Sequence, residues 1–410
     1  MRRFVAFLIL PIFMSAMDLS ALLEKVQNND LVQSKKSLKS LQMTKLETIQ
    51  AAYLPKIQTE GIYSYLRDED KGLFDPESSI SVSASYMLFD GFKKRDLVRA
   101  QEHRLRASED RLAYEKERLS LDAVKLYFQL RTQKVVIEAS KQKIRQLQSE
   151  VIRLEKLFKA KIVAEDVFES IKASLAMSEY ELQRQKQDYS YLRFSLGSLA
   201  GEAFDSAKEG GFVETQTVSV SLTKDISAQE NELKALQWQG DAQTSVYLPQ
   251  VVIKDTYSST QYYESDLSLP GFDLPENNNK FQLLLSWTLV DFGTKSKERQ
   301  QIYLQKKAMN EELNYYKKSL KSRQELAKME LLTSKKKIRS ARQNLKASQK
   351  SFDFRKKRFN ANLIDSTIFL DALTRFTQAK ALYEQSKNDY EIAKANYYFN
   401  HNIALKEKLL

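Results

Sequence analysis

The 410-residue sequence contains no cysteine, only six prolines and only ten glycines. The absence of cysteine excludes disulfide bonds, thiolate chemistry and cysteine-ligated metal sites. So few prolines and glycines are atypical of a chain built from many loops. Together with a charged fraction of 29%, this composition predicts long helices.

Long hydrophobic runs are also missing, apart from one at the N-terminus. Beyond it, no segment reaches the ~18 consecutive apolar residues of a transmembrane helix. Residues 1–16 combine two arginines, an apolar run from Phe4 to Met14 and small residues at positions 15 and 16. This pattern predicts a secretory signal peptide cleaved after Ala16, so the mature protein is expected outside the cytoplasm.

The net charge is +12, which by itself would suit a nucleic-acid partner. Lysine and arginine alternate with glutamate and aspartate along the chain, however, so we expect solvated helix faces and no bound nucleic acid. Enzymatic motifs are missing as well, since no phosphate-binding loop, HExxH or serine-elbow pattern occurs. His103 and His401 are expected at the surface. We predict no enzymatic activity, no metal and no cofactor.

The sequence repeats itself at a fixed spacing. Tyr86–Asp96 aligns with Trp287–Lys297 at an offset of 201 residues, and the same offset relates Phe158 to Phe359. Such a constant offset indicates a tandem duplication of a large unit. The predicted divisions are a signal peptide (1–16), a first repeat (17–204), a linker or equatorial segment (205–224) and a second repeat (225–410).

Each copy reads as a helix, two strands, a very long helix and a shorter helix. The first helix (about 18–50, and about 225–245) ends before Tyr-Leu-Pro, because proline disfavours helical backbone in the preceding residue. The long helix of the first copy, Phe92–Phe158, would measure ~100 Å at 1.5 Å per residue. Its apolar residues follow a coiled-coil heptad. One seam comprises Leu130, Ile137, Ile144, Val151 and Phe158, and its counterpart comprises Leu331, Ile338, Leu345, Phe352 and Phe359.

The strands alternate between apolar and polar residues. The apolar positions are Ile80, Val82, Ala84, Tyr86 and Leu88 in one copy, and Phe281, Leu283, Leu285, Trp287 and Leu289 in the other. Strands of about ten residues with this alternation are typical of outer-membrane β-barrels. Four strands cannot close a barrel, and an open edge in lipid is prohibitively unfavourable, so three copies are expected to assemble. Two soluble hairpins capping a coiled coil are the alternative.

This duplicated order of elements covers essentially the whole mature chain and resembles the TolC family of outer-membrane efflux channels. The resemblance implies a mainly α fold with β strands. A long coiled-coil α-helical barrel would cross the periplasm, and four strands per chain would contribute to a trimeric twelve-stranded barrel in outer-membrane lipid.

The resemblance also implies a function and partners. The chain would be a passive homotrimeric duct that works with a periplasmic adaptor protein and an inner-membrane RND or ABC transporter. The alternatives are the outer-membrane channel of type I protein secretion and a periplasmic coiled-coil structural protein without channel activity.

The breaks between the long and short helices would form the periplasmic tip, which docks the adaptor and closes the pore. Lys161 and Asn362 stand where the family usually has glycine, and asparagine adopts the left-handed backbone more readily than lysine does. The candidate docking residues are Lys161, Ile162, Val163, Asn362, Leu363 and Ile364.

Two further roles are assigned at the tip. Asp166, and either Ser366 or Thr367, are expected to cap the returning helices. The resemblance places Asp371 and Ile368 on the inner face of the tip as the pore gate. In a trimer they would form a ring of carboxylates that favours cations and a neighbouring apolar ring.

Overall fold

The structure, a computed structural model, describes residues 17–64, 77–215, 221–262 and 276–410. The predicted signal peptide, most of both hairpin loops and part of the linker lie outside the described residues. In chain order the elements are α1 (Leu19–Val26), α2 (Asp30–Ala51), β1 (Lys56–Ser64), β2 (Glu77–Phe89), α3 (Lys93–Lys159), α4 (Glu165–Ala200), α5 (Lys224–Thr244), β3 (Gln250–Tyr262), β4 (Asn277–Ser286), α6 (Thr294–Asn360) and α7 (Ser366–Asn400).

The duplicated order of elements is confirmed, with α2–β1–β2–α3–α4 in one copy and α5–β3–β4–α6–α7 in the other. Two compact units cut across these copies. One comprises the chain up to Lys36, Arg111–Lys224 and Tyr316–Leu410, and the other comprises Ser37–Asp110 and Asp225–Tyr315. Among the described residues, no helix is apolar over a length that could cross a bilayer.

The first unit has its main core around Tyr127, which is fully buried. The Tyr127 hydroxyl donates hydrogen bonds to the carbonyl oxygens of Met17 (3.3 Å) and Lys208 (2.9 Å). Burial raises the pKa of Tyr127 to about 12. Met17 and Ala207 also form a parallel β-bridge, so the start of the described chain and the linker are held together.

The linker is fixed against α7 by buried polar contacts. The Phe212 N–H donates to Glu391 Oε2 at 2.7 Å, and Lys394 Nζ lies 2.8 Å from Glu391 Oε1. Lys394 also donates to the Phe212 carbonyl oxygen. A buried ammonium must be paired to be tolerated, and these contacts pair it. Further along the linker, Glu214 accepts a 2.7 Å hydrogen bond from the Tyr390 hydroxyl.

The second unit contains one antiparallel sheet in the order β1-β2-β3-β4. The central ladder, β2 with β3, joins the two copies of the repeat. Within the described residues β1 pairs with β2 alone and β4 with β3 alone, so both lie at edges. β4 differs from the predicted strand, because it begins at Asn277 and ends before Trp287. The Trp287 indole N–H instead donates to the Tyr247 carbonyl oxygen at 3.2 Å.

Tight turns connect the strands to the long helices. The Asp90 carboxylate accepts the Lys94 N–H at 2.6 Å, and the Asp291 carboxylate accepts the Lys295 N–H at 2.9 Å. Both aspartates therefore cap long helices. They are equivalent residues of the two copies, at the offset of 201 residues. Gly91 has a φ of +70°, and a Cβ there would lie 2.6 Å from the Ser245 carbonyl oxygen. Glycine is required at this position.

Two sequence predictions were wrong in this part of the molecule. The first helix is not continuous over 18–50, because Asn29 accepts the Leu31 N–H (2.9 Å) and donates to the Leu199 carbonyl (2.8 Å). Such side-chain bonds compete with the helix. The predicted surface position was wrong for His401, which is buried with its ring Nδ1 2.8 Å from the Tyr397 carbonyl oxygen. His103 is half-buried, with its ring Nδ1 3.2 Å from Asn231 Oδ1.

Candidate functional site

Most apolar residues of the sheet share one face, and this face is exposed. Directly opposed residues point to the same side of a sheet, and Ile253 stands opposite both Tyr86 and Leu283. The exposed side chains on this face include Ile57, Ile80, Val82, Tyr86, Tyr257, Phe281, Leu283 and Leu285. An apolar surface of this extent is typical of contact with lipid or a partner.

The opposite face of the sheet is mainly polar, apart from Ile62 and a row formed by Met87, Val252 and Leu284. The register aligns Ser85, Lys254 and Gln282 across three strands, and serine and threonine continue the row on β2 and β3. This arrangement matches the water-facing side of a channel strand. Asp255 breaks the alternation, because its register places it on the apolar face between Ala84 and Phe281.

At the other functional region, α3 and α6 end in the same turn. Lys161 and Asn362 both adopt left-handed backbone, with φ of 58° and 57°. The Ile162 N–H donates to the Leu157 carbonyl oxygen at 2.9 Å, and the Leu363 N–H donates to the Arg358 carbonyl oxygen, also at 2.9 Å. These are Schellman turns. Lys161 thus adopts a left-handed backbone that glycine takes without strain, at a cost of about 1–2 kcal/mol.

The aliphatic pairs after these turns divide into two kinds. Val163 and Ile364 are half-buried and pack against a shared core. Ile162 and Leu363 are exposed, by 62% and 65%. Because both inner residues contact the same core, the structure brings the two turns together at one end of the first unit. The tip therefore presents one free aliphatic side chain per turn.

Aromatic stacking builds the core beneath the turns. Phe359 and Phe369 stack with ring centroids 4.5 Å apart, and Phe352 stacks on Phe376 at 5.3 Å. The Arg153 guanidinium lies 4.9 Å from the Phe359 ring. In the first copy, Phe158 and Phe168 stack at 5.5 Å. The core fixes α6 against α7 and α3 against α4 close to the turns.

The predicted helix caps at the tip were wrong. Asp365 caps α7, and its carboxylate accepts the Ile368 N–H at 2.9 Å. Ser366 and Thr367 are instead the first two residues of the helix. α4 has Ala164 at its cap position, without a side-chain bond, and Asp166 lies in the first turn. A carboxylate there interacts favourably with the helix dipole without capping the helix.

Asp371 is paired with two arginines of its own chain. Its carboxylate lies 2.8 Å from Arg375 Nε, one turn along α7, and 3.2 Å from Arg355 on α6. Hydrogen bonds from Arg375, and then from Arg355, hold the pKa of the Asp371 carboxyl below its usual range. With Asp365 as the cap, Asp371 lies in the second turn of α7. Ile368 is 39% exposed.

No metal site accompanies these features, since the described residues contain no cluster of three or more histidine, aspartate or glutamate side chains suited to an ion. The arginines around Asp371 are the main residues that sequence reasoning missed at the tip. Arg355 lies 16 positions away on another helix, so no local pattern could have revealed this contact.

Comparison with known proteins identifies the fold and the family. The model of the family described as outer membrane efflux protein matches residues 23–160 and 221–398, more than half of the chain. The fold is similar to that of CusC (TM-score 0.84, 12% identity, 95% of this chain and 93% of that chain). A search of the curated proteins found no match to the sequence.

Two further channel structures share the fold. The CmeC outer membrane channel of Campylobacter jejuni has a TM-score of 0.81 at 13% identity, covering 94% of this chain and 85% of that chain. The outer membrane protein VceC of Vibrio cholerae has a TM-score of 0.80 at 12% identity, covering 94% and 96%. The family match, these similar structures, the exposed apolar sheet and the paired long helices agree with one another. The chain belongs to the outer membrane efflux protein family, and it is an outer-membrane channel of a tripartite efflux system with its helical part in the periplasm.

Proposed function

We propose that three copies of this chain form a passive duct and that their sheets close into one twelve-stranded barrel. The observation that supports this proposal is the four-stranded sheet, with an exposed apolar face and two edge strands. In lipid, each unsatisfied backbone group at an edge costs several kcal/mol. Pairing β4 of one copy with β1 of the next satisfies both edges.

The proposed duct needs partners for energy and direction. A periplasmic adaptor would dock at the tip, where Ile162 and Leu363 offer exposed aliphatic side chains beside the backbone of Lys161 and Asn362. An inner-membrane transporter of the RND or ABC class would supply the driving force. Outer-membrane lipid would cover the apolar face of the sheet.

The assembly can be tested with purified protein. Separated trimers should insert into planar bilayers and conduct, whereas monomers should do neither, because their sheet edges would meet lipid. Trimers are expected to survive SDS without heating. A monomer that inserts stably and conducts would contradict the closed twelve-stranded barrel.

We further propose that Asp371 is part of the pore gate, next to the apolar ring of Ile368. The contacts that support this role are those from Arg355 of α6 and Arg375 of α7, since they tie the ends of the two helices together. Three such carboxylates around an axis would be surrounded by six guanidinium groups. Asp371 would thus act as a latch that holds the ends of α6 and α7 together. Its carboxylate would also partly balance the charge of the guanidinium groups.

Asp371→Asn is expected to weaken the latch and lower any preference for cations, because six guanidinium groups would remain around the pore with no carboxylate among them. Single-channel conductance should rise and block by divalent cations should weaken, while trimer stability changes little. Reversal potentials under a salt gradient measure the selectivity.

Asp389→Asn provides the matched control. Asp389 is also on α7, also pairs with α6 (Lys337, 2.7 Å), and lies five helical turns from Asp371 on the same face. This variant should leave selectivity and conductance unchanged. Equal behaviour of the two variants would reduce Asp371 to an ordinary ion-pair partner and leave Ile368 as the gate candidate.

A further inference from the structure

Residues 335–358 of α6 form a basic block. They include one acidic residue, Asp353, and eleven basic ones: Lys335, Lys336, Lys337, Arg339, Arg342, Lys346, Lys350, Arg355, Lys356, Lys357 and Arg358. The expectation that charges alternate along the whole chain is therefore wrong here. Within the described residues, the ion pairs of this block are those of Lys335 with Glu214, Lys337 with Asp389 and Arg355 with Asp371.

The duplication shows that the fold does not require this charge. The equivalent stretch of α3, residues 134–157, has six basic and three acidic residues. The apolar seam is kept in both copies, as Ile137 and Ile338, and Ile144 and Leu345. Like charges one turn apart destabilise a helix, so the excess in α6 opposes folding and calls for another explanation.

Part of the block lines a groove. Lys335, Arg339, Arg342 and Lys346 are all exposed and follow one another at spacings of four, three and four, which places them on one face of α6. Together with Tyr383 and Tyr390 of α7 they border a groove of about 770 Å³. The four cations extend over ~16 Å along the helix axis.

The groove lies on the side of the helix pair that carries the linker. Glu214 contacts Lys335 at 3.4 Å and the Tyr390 hydroxyl at 2.7 Å. Arg355, which contacts Asp371, is nine residues beyond Lys346, or two and a half turns, and so lies on the opposite face of α6. If Asp371 faces the lumen, as in the proposed function, the cationic groove faces outward into the periplasm.

We propose that this groove binds a carboxylate-rich polymer of the periplasm, the chemistry offered by the peptide stems of the cell wall. Arginine binds carboxylates in a bidentate manner, and lysine adds point charges. A row of cations spread along an axis suits carboxylates that recur along a chain better than it suits one small anion. The outward orientation of the groove rests on the proposed function. The charge complementarity between its cations and the carboxylates of the polymer is independent of that function.

The test is co-sedimentation of the detergent-solubilised trimer with purified peptidoglycan. Lys335→Gln, Arg342→Gln and Lys346→Gln together are expected to weaken binding about tenfold. The matched control is Lys134→Gln, Lys141→Gln and Arg145→Gln, which removes three exposed charges at the equivalent positions of the first copy. This control should bind within about twofold of the unchanged protein.

Conductance of the same samples separates this proposal from the duct. Equal binding by the two triple variants, or no binding by the unchanged trimer while it conducts, overturns the polymer proposal and leaves the duct intact. Dissociation of the trimer in the α6 variant alone would assign the groove to contacts between copies and would also overturn the proposal. Failure of the unchanged trimer to conduct would instead count against the duct.

Discussion

Leu283→Arg is expected to abolish accumulation of the trimer in the outer membrane. Leu283 is exposed on the apolar face of β4 and stands opposite Ile253. An arginine facing the bilayer midplane costs about 2–4 kcal/mol, and the proposed barrel carries three copies of it. Fractionation of cells followed by electrophoresis of unheated samples measures the amount of trimer.

Gln282→Arg is the matched control for this change. Gln282 adjoins Leu283 on the same strand, but its register with Lys254 and Ser85 places it on the polar face. An arginine there would face water in the lumen, so trimer yield should remain close to normal. If the two variants lost the trimer equally, or if Gln282→Arg alone lost it, the assignment of the sheet faces would be wrong.

Phe369→Ala is expected to destabilise the tip by about 3–5 kcal/mol, the usual cost of removing a buried aromatic ring. Phe369 is fully buried and stacks on Phe359 with ring centroids 4.5 Å apart. Its removal would separate the ends of α6 and α7 from their shared core. Native-state hydrogen exchange should show faster exchange for amides at the ends of these helices.

The duplication again supplies a control, Phe168→Ala. Phe168 is the counterpart of Phe369 at the offset of 201, but it is half-buried and stacks on Phe158 at 5.5 Å. With less apolar area to lose, this variant should cost about 1–2 kcal/mol. Equal losses of stability from the two substitutions would show that the second copy does not contribute more than the first to the core of the tip.

Regular patterns made most of the fold predictable. The heptad and the lack of proline and glycine between Phe92 and Phe158 predicted one long helix, and α3 spans Lys93–Lys159. Proline in Tyr-Leu-Pro located the end of the first helix in each copy. The alternation of β2 identified the exposed apolar face, since period-two patterns depend on the backbone alone.

Features that depend on contacts distant in sequence were not predictable. The arginines paired with Asp371 come from two helices, so neither the offset nor the heptad revealed them. Asp365 caps α7 in place of Ser366 or Thr367, because the position of the turn shifted the helix start by one residue. The charge of α6 was overlooked for a different reason, since the count over the whole chain averaged out a local excess.

The ladder between β2 and β3 would give the proposed trimer an approximate sixfold symmetry. It joins two hairpins of one chain by the same antiparallel pairing that we propose between chains. The ring would then repeat a hairpin six times, although the chains are related by a threefold axis. A partner approaching the tip would meet six nearly equivalent positions in alternation, three with Lys161 and Ile162 and three with Asn362 and Leu363. A sixfold partner could occupy all of them, whereas a threefold partner would have to distinguish a lysine from an asparagine.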